Sequence, residues 1–144
     1  MAGVTDQRLE EFLTRCGLEW SVIPWERHMS LSNQWDAKYG NIQHWLRQKQ
    51  GVKAQFEYSQ QSATTFLIVP FLGHFAGPDS INKTGARTTA YECHGEGPVP
   101  DLSDFANIDL LVVPEDFSWT MIHTHEDYAL GGPYFIREEW LGPH

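Results

Sequence analysis

Two cysteines in 144 residues are too few to staple a fold, and neither Cys16 nor Cys93 belongs to a Cys-x-x-Cys pair. They read as small buried thiols of a reducing compartment, not as a disulfide framework or a zinc knuckle. Long apolar runs are also missing. The longest, Phe66 to Leu72, is interrupted by Pro70 and falls far short of a bilayer span. No apolar segment follows basic residues in the opening "MAGVTDQRLEEF", so the expectation is a soluble, cytoplasmic protein without a secretory signal. There is no Gly-x-Gly-x-x-Gly, no phosphate-binding P-loop and no Gly-x-Ser-x-Gly elbow, which removes the commonest nucleotide and hydrolase signatures. Asp101, Asp104 and Asp109 do not have the spacing of a calcium loop. Cys93 and His94 are neighbours, and on a strand they would point to opposite faces, a poor arrangement for a nucleophile and its base.

Positive charge is the other scarcity. Residues 1–55 hold six acids and seven bases, whereas residues 88–144 hold eleven acids and one base, Arg137. The whole chain carries a formal net charge of -9. A field of that sign repels phosphate backbones and anionic lipid, so neither nucleic acid nor membrane is an expected partner. It attracts basic proteins and divalent cations.

What is present is aromatic and patterned. Six Trp, eight Phe and five Tyr supply the large side chains of a folded core, and the length suits one α+β domain over residues 1–144. Leu9, Phe12, Leu13 and Cys16 make one apolar face of a helix over 5–16, with Thr5 as cap and Gly17 at its left-handed end. "LEWSVI" predicts a short strand. Pro24 opens a second helix that stops at Gly40, and Asn41 caps a third over 42–50. Val52, Ala54, Phe56 and Tyr58 alternate with polar residues and predict a half-buried strand. "ATTFLIVPF", "RTTAYEC", "DLLVVP", "SWTMIHTH" and "PYFI" predict further strands separated by Gly/Pro loops. Helices first and strands after give an α+β class: N-terminal helices on one face of a mostly antiparallel sheet.

The stretch "SWTMIHTHED" carries the densest chemistry. If extended, it places Trp119, Met121, His123 and His125 on one face. Two imidazoles two residues apart can grip one divalent ion such as zinc. Glu126 or Asp127 would add an oxygen ligand or act as base for a metal-bound water, and Glu92 or His94 could complete the set if their strand is adjacent. The alternative is that these histidines cover a sheet face beside Trp119 and bond to the acidic loop.

His123-Thr124-His125 resembles the metal motif of the deubiquitinase-like metalloproteases, but Glu126 stands where those have Pro and Ile136 where they have Asp. It also resembles the cupin His-x-His, but Leu130 stands near the cupin Glu. Phe117-Ser118-Trp119-Thr120, Thr124-His125-Glu126 and Gly132-Pro133-Tyr134-Phe135 together are similar to a C-terminal signature of small bacterial proteins of unknown function. That resemblance covers the last third of the chain. It implies a corner or small pocket lined by Trp119, His125 and Glu126 and closed by Pro133-Tyr134-Phe135. In size, charge and tail, the chain also resembles acidic immunity proteins that neutralise toxins.

Two functional expectations follow. One is a non-enzymatic protein-binding domain, immunity-like, which needs no cofactor and takes a basic partner; its binding residues would be Trp119, His125, Glu126 and Tyr134. The other is a metal-binding protein or metal-dependent hydrolase that uses His123, His125 and Glu126 or Asp127. The tryptophans also allow a homo-oligomer.

Overall fold

The computed structural model describes residues 7–40, 49–70, 89–102, 110–123 and 132–141. The first helix, α1 (Gln7–Arg15), forms where the apolar spacing placed it, with Leu9 and Leu13 fully buried one turn apart. Its end is a Schellman turn. Gly17 takes φ +78°, its N–H bonds the Thr14 carbonyl, and the Leu18 N–H reaches back to Leu13. The chain then enters β1 (Glu19–Val22). Pro24 precedes α2 (Trp25–Tyr39), whose Leu31, Trp35 and Tyr39 recur every four residues and are buried.

The stretch expected to alternate as a strand is instead a helix. A two-residue strand, β2 (Lys49–Gln50), leads through Gly51 at φ +60° into α3 (Val52–Ser59). Ala54 and Tyr58 are buried, whereas Val52 and Phe56 are 81% and 62% exposed. An i, i+4 pair satisfies a period of two as well as a helical face, so the spacing alone could not decide. Lys49–Gln50 also corrects the end of the expected third helix; the rest of that helix falls outside the described residues.

The remaining strands are β3 (Thr65–Pro70), β4 (Tyr91–His94), β5 (Leu110–Pro114), β6 (Trp119–His123) and β7 (Tyr134–Arg137), followed by a 3-10 turn, Glu138–Leu141. They form one sheet in the order β1-β4-β3-β5-β6-β7-β2, with every neighbouring pair antiparallel. The domain is therefore α+β, as the order of elements suggested.

Strand alternation divides the apolar residues into two layers. Phe66, Ile68, Tyr91, Leu110, Val112, Trp119, Met121 and Phe135 pack with Leu9 and Leu13 of α1 and Ala54 and Tyr58 of α3. Leu67, Val69, Leu111, Val113, Ile122, Tyr134 and Ile136 pack with Leu31, Trp35 and Tyr39 of α2. Two helices thus share one face, and α2 covers the other. Polar bonds fix α2 in place. The Trp35 indole N–H donates to Thr120 Oγ1 at 2.9 Å, and that hydroxyl donates to the Val112 carbonyl at 3.2 Å. The Tyr39 hydroxyl donates to the carbonyl of Phe117, the residue with φ +59° in the β5–β6 turn.

Two substitutions test this layout in urea unfolding. Thr120→Val removes the indole's acceptor at nearly constant volume and is expected to cost about 1–3 kcal/mol, with Thr120→Ser retaining most of the stability. On α3, Phe56→Ser should stay within about 0.5 kcal/mol of the parent. Tyr58→Ala should lose about 3–5 kcal/mol.

Candidate functional site

The His-rich stretch enters the structure as β6, and its alternation is as the sequence implied. Trp119, Met121 and His123 point to the layer shared with α1 and α3, while Thr120 and Ile122 point to α2. His123 lies opposite Leu110 at the strand's end and is 1% exposed. His125, Glu126 and Asp127 lie outside the described residues.

Trp119 is core. Its ring stacks on Phe135 at 5.6 Å between centroids and meets Tyr58 edge-on at 5.9 Å, with Trp140 meeting Phe135 edge-on at 6.0 Å. Tyr134 is buried too, but on the α2 layer. Trp119 and Tyr134 therefore occupy opposite faces of the sheet and cannot line one pocket. The sequence motif Gly-Pro-Tyr-Phe gives no sign of this; only the pairing of Ile122 with Tyr134 and of Met121 with Phe135 does.

Glu92 and His94, considered as further metal ligands beside His123, are not adjacent to it. β3 and β5 separate β4 from β6, and the two side chains project to the α2 face, opposite to His123. Among the described residues no group of three His, Cys, Asp or Glu side chains is placed to hold a metal ion. Glu92 and His94 have other partners. Arg27 of α2 reaches Glu92 Oε1 at 2.6 Å, His94 Nε2 lies 3.0 Å from Glu92 Oε2, and His94 Nδ1 lies 3.1 Å from Thr65 Oγ1. Cys93 between them is buried on the opposite layer with its thiol pushed up to about 12, first by burial and then by Glu92.

The structure also gathers acids that are dispersed in sequence. β1, β3 and β6 begin, and β4, β5 and β7 end, at the same margin of the sheet. Glu19, Glu96, Glu115, Asp116, Glu138 and Glu139 stand there, all exposed. Lys38 holds Glu138 at 2.9 Å, and Arg137 lies 3.5 Å from Glu139. Hydrogen bonds from Ser118 hold the Asp116 carboxyl below its ordinary range. The acidity of the last third was legible in the sequence; its convergence on one margin was not, because strand pairing creates it.

Besides Asp116, two groups make stability fall on acidification. Burial lowers the pKa of His28, which is 5% exposed and edge-on to Trp25. The bond from Arg27 lowers that of Glu92. Both folded-state values lie below the unfolded ones, so each contribution is complete above the unfolded value and fades as pH falls toward the folded one. Urea titrations across pH should show loss beginning near 6.5 for His28 and near 4.5 for Glu92. His28→Asn should flatten the upper limb. Glu92→Gln should flatten the lower one, by at most about 1 kcal/mol for so accessible a pair.

Comparison of this chain with family models, with curated proteins and with solved structures finds no match.

Proposed function

We propose that the chain is a protein-binding domain whose acidic sheet margin receives a basic partner. The observation that carries this reading is the convergence of six exposed carboxylates from β1, the β4 end, the β5–β6 turn and the 3-10 turn. A concentrated field at one end of a rigid sheet steers an oppositely charged surface into register and raises its association rate. The buried aromatics Trp119 and Tyr134 serve in this reading as the frame that holds the margin. Any contribution from His125 and Glu126 would come from the segment that follows β6.

The test is capture of partners on the immobilised protein, identification of the bound species, and association kinetics across salt. The expected partner is basic. Its association should slow by about tenfold or more in the Glu19→Lys/Glu96→Lys/Glu115→Lys variant and flatten in salt dependence. An acidic partner, or kinetics indifferent to salt and to these reversals, would remove the reading. The metal-centred alternative has its own discriminator. About one zinc per purified chain, lost in His123→Ala/His125→Ala, would put a metal site in its place.

A further inference from the structure

The cluster on the α2 face of β3 and β4 has the order of a catalytic relay. Thr65 opens β3, His94 closes β4, and the two are direct cross-strand partners. Glu92, two residues before His94, shares its face. The hydrogen bonds run Thr65 Oγ1 to His94 Nδ1 at 3.1 Å and His94 Nε2 to Glu92 Oε2 at 3.0 Å, with Arg27 on the other carboxylate oxygen at 2.6 Å.

The direction of the proton follows from the partners. Arg27 keeps Glu92 ionised, and a carboxylate only accepts hydrogen bonds. His94 Nε2 must therefore carry the ring proton. In the neutral ring Nδ1 then presents its lone pair to Thr65, whose hydroxyl donates to it. A hydroxyl facing a base, with the base oriented by a buttressed carboxylate, is the arrangement that activates an alcohol nucleophile. The relay is reachable. The His94 side chain is 44% exposed, and the loop just beyond it, Glu96–Gly97, is exposed. The neighbouring thiol of Cys93 is closed off in the other layer, so the hydroxyl is the nucleophile available here.

We propose that Thr65, His94 and Glu92 form an esterase-type site that takes the acyl group of a neutral or cationic carboxylic ester. The substrate charge follows from Glu19, opposite His94 on β1, and Glu96, just beyond it, which repel anions. In the first step His94 Nδ1 takes the Thr65 proton as Oγ1 bonds the carbonyl carbon. The ester C–O bond then breaks, and the leaving alcohol takes that proton from His94. In the second step water gives a proton to His94 and attacks the acyl carbon. The bond from the acyl carbon to Oγ1 breaks, carboxylic acid is released, and His94 returns the proton to Oγ1 of Thr65. Thr65 and His94 are the catalytic residues; Glu92 and Arg27 position the ring and stabilise its charged form.

The experiment uses the intact chain and p-nitrophenyl acetate, a neutral activated ester. The expected result is a burst of nitrophenolate approaching one per chain, with an acetyl group mapped to Thr65 by peptide mass spectrometry. His94→Gln should slow the burst roughly 100-fold. Thr65→Val should abolish the adduct and Thr65→Ser retain it, at unchanged circular dichroism. Glu92→Gln should slow the burst and move the pH at which it is half-maximal. Acetyl found only on His94 or on lysines, or release unaffected by Thr65→Val in a folded protein, would overturn the proposal. Should Thr65→Val not fold, the adduct map of the parent decides: acetyl on Thr65 supports the site, and its absence rejects it.

Discussion

The arrangement depends on one buried chain of hydrogen bonds, from the Trp35 indole through the Thr120 hydroxyl to the Val112 carbonyl. An indole N–H taken out of water needs an acceptor, and Thr120 is the acceptor this face of β6 presents to it. Apolar contact could hold α2 against the sheet at many angles. This bond selects one of them. At that angle Arg27, near the start of the helix, meets Glu92 on β4, while Lys38 and Tyr39, at its end, meet Glu138 and Phe117 beyond β7 and β5. The helix is thereby a crossbar between distant strands. Both proposed sites hang from it: the hydrogen-bonded cluster of Thr65, His94 and Glu92 at one end, and part of the acidic margin at the other.

The legible parts of the fold were those governed by local chemistry. Gly17 and the spacing of Leu9 and Leu13 defined α1, Pro24 and Gly40 bracketed α2, and β-branched apolar runs marked β3 and β5. The alternation in "SWTMIH" also gave the correct partition of Trp119, Met121 and His123 from Thr120 and Ile122. What failed was decided by tertiary context. Val52 to Tyr58 could face a core once per turn or once per two residues, and Gly51 and the position of β2 settled it as a helix. The opposed faces of Trp119 and Tyr134 needed the β6–β7 register. Thr65 beside His94, residues that no local pattern links, needed the β3–β4 register.

Electrostatics joins the two proposed roles without making either depend on the other. The carboxylates at the sheet margin set the sign of what approaches. Arg27 is an opposing charge beside Glu92 and keeps it committed to His94. Glu92 thus belongs to the hydrogen-bonded interior of the cluster more than to the surface field, unlike Glu19, Glu96 and Glu115, which are exposed.

The centre of the sheet is closed by β3 against β5, which joins Thr65–Pro70 to Leu110–Pro114 across a long stretch of intervening chain. β4 lies within that stretch and pairs on the other side of β3. Loop-closure entropy must be met before the central apolar contacts form, because Leu67 meets Val113 and Ile68 meets Val112 only when this distant pairing is complete. High contact order of this kind slows folding. While the two apolar strands wait for one another, their open edges are a surface prone to self-association. A surplus of negative charge keeps such chains apart during that interval, so the acidity proposed to recruit a partner to the finished domain also protects the unfinished one.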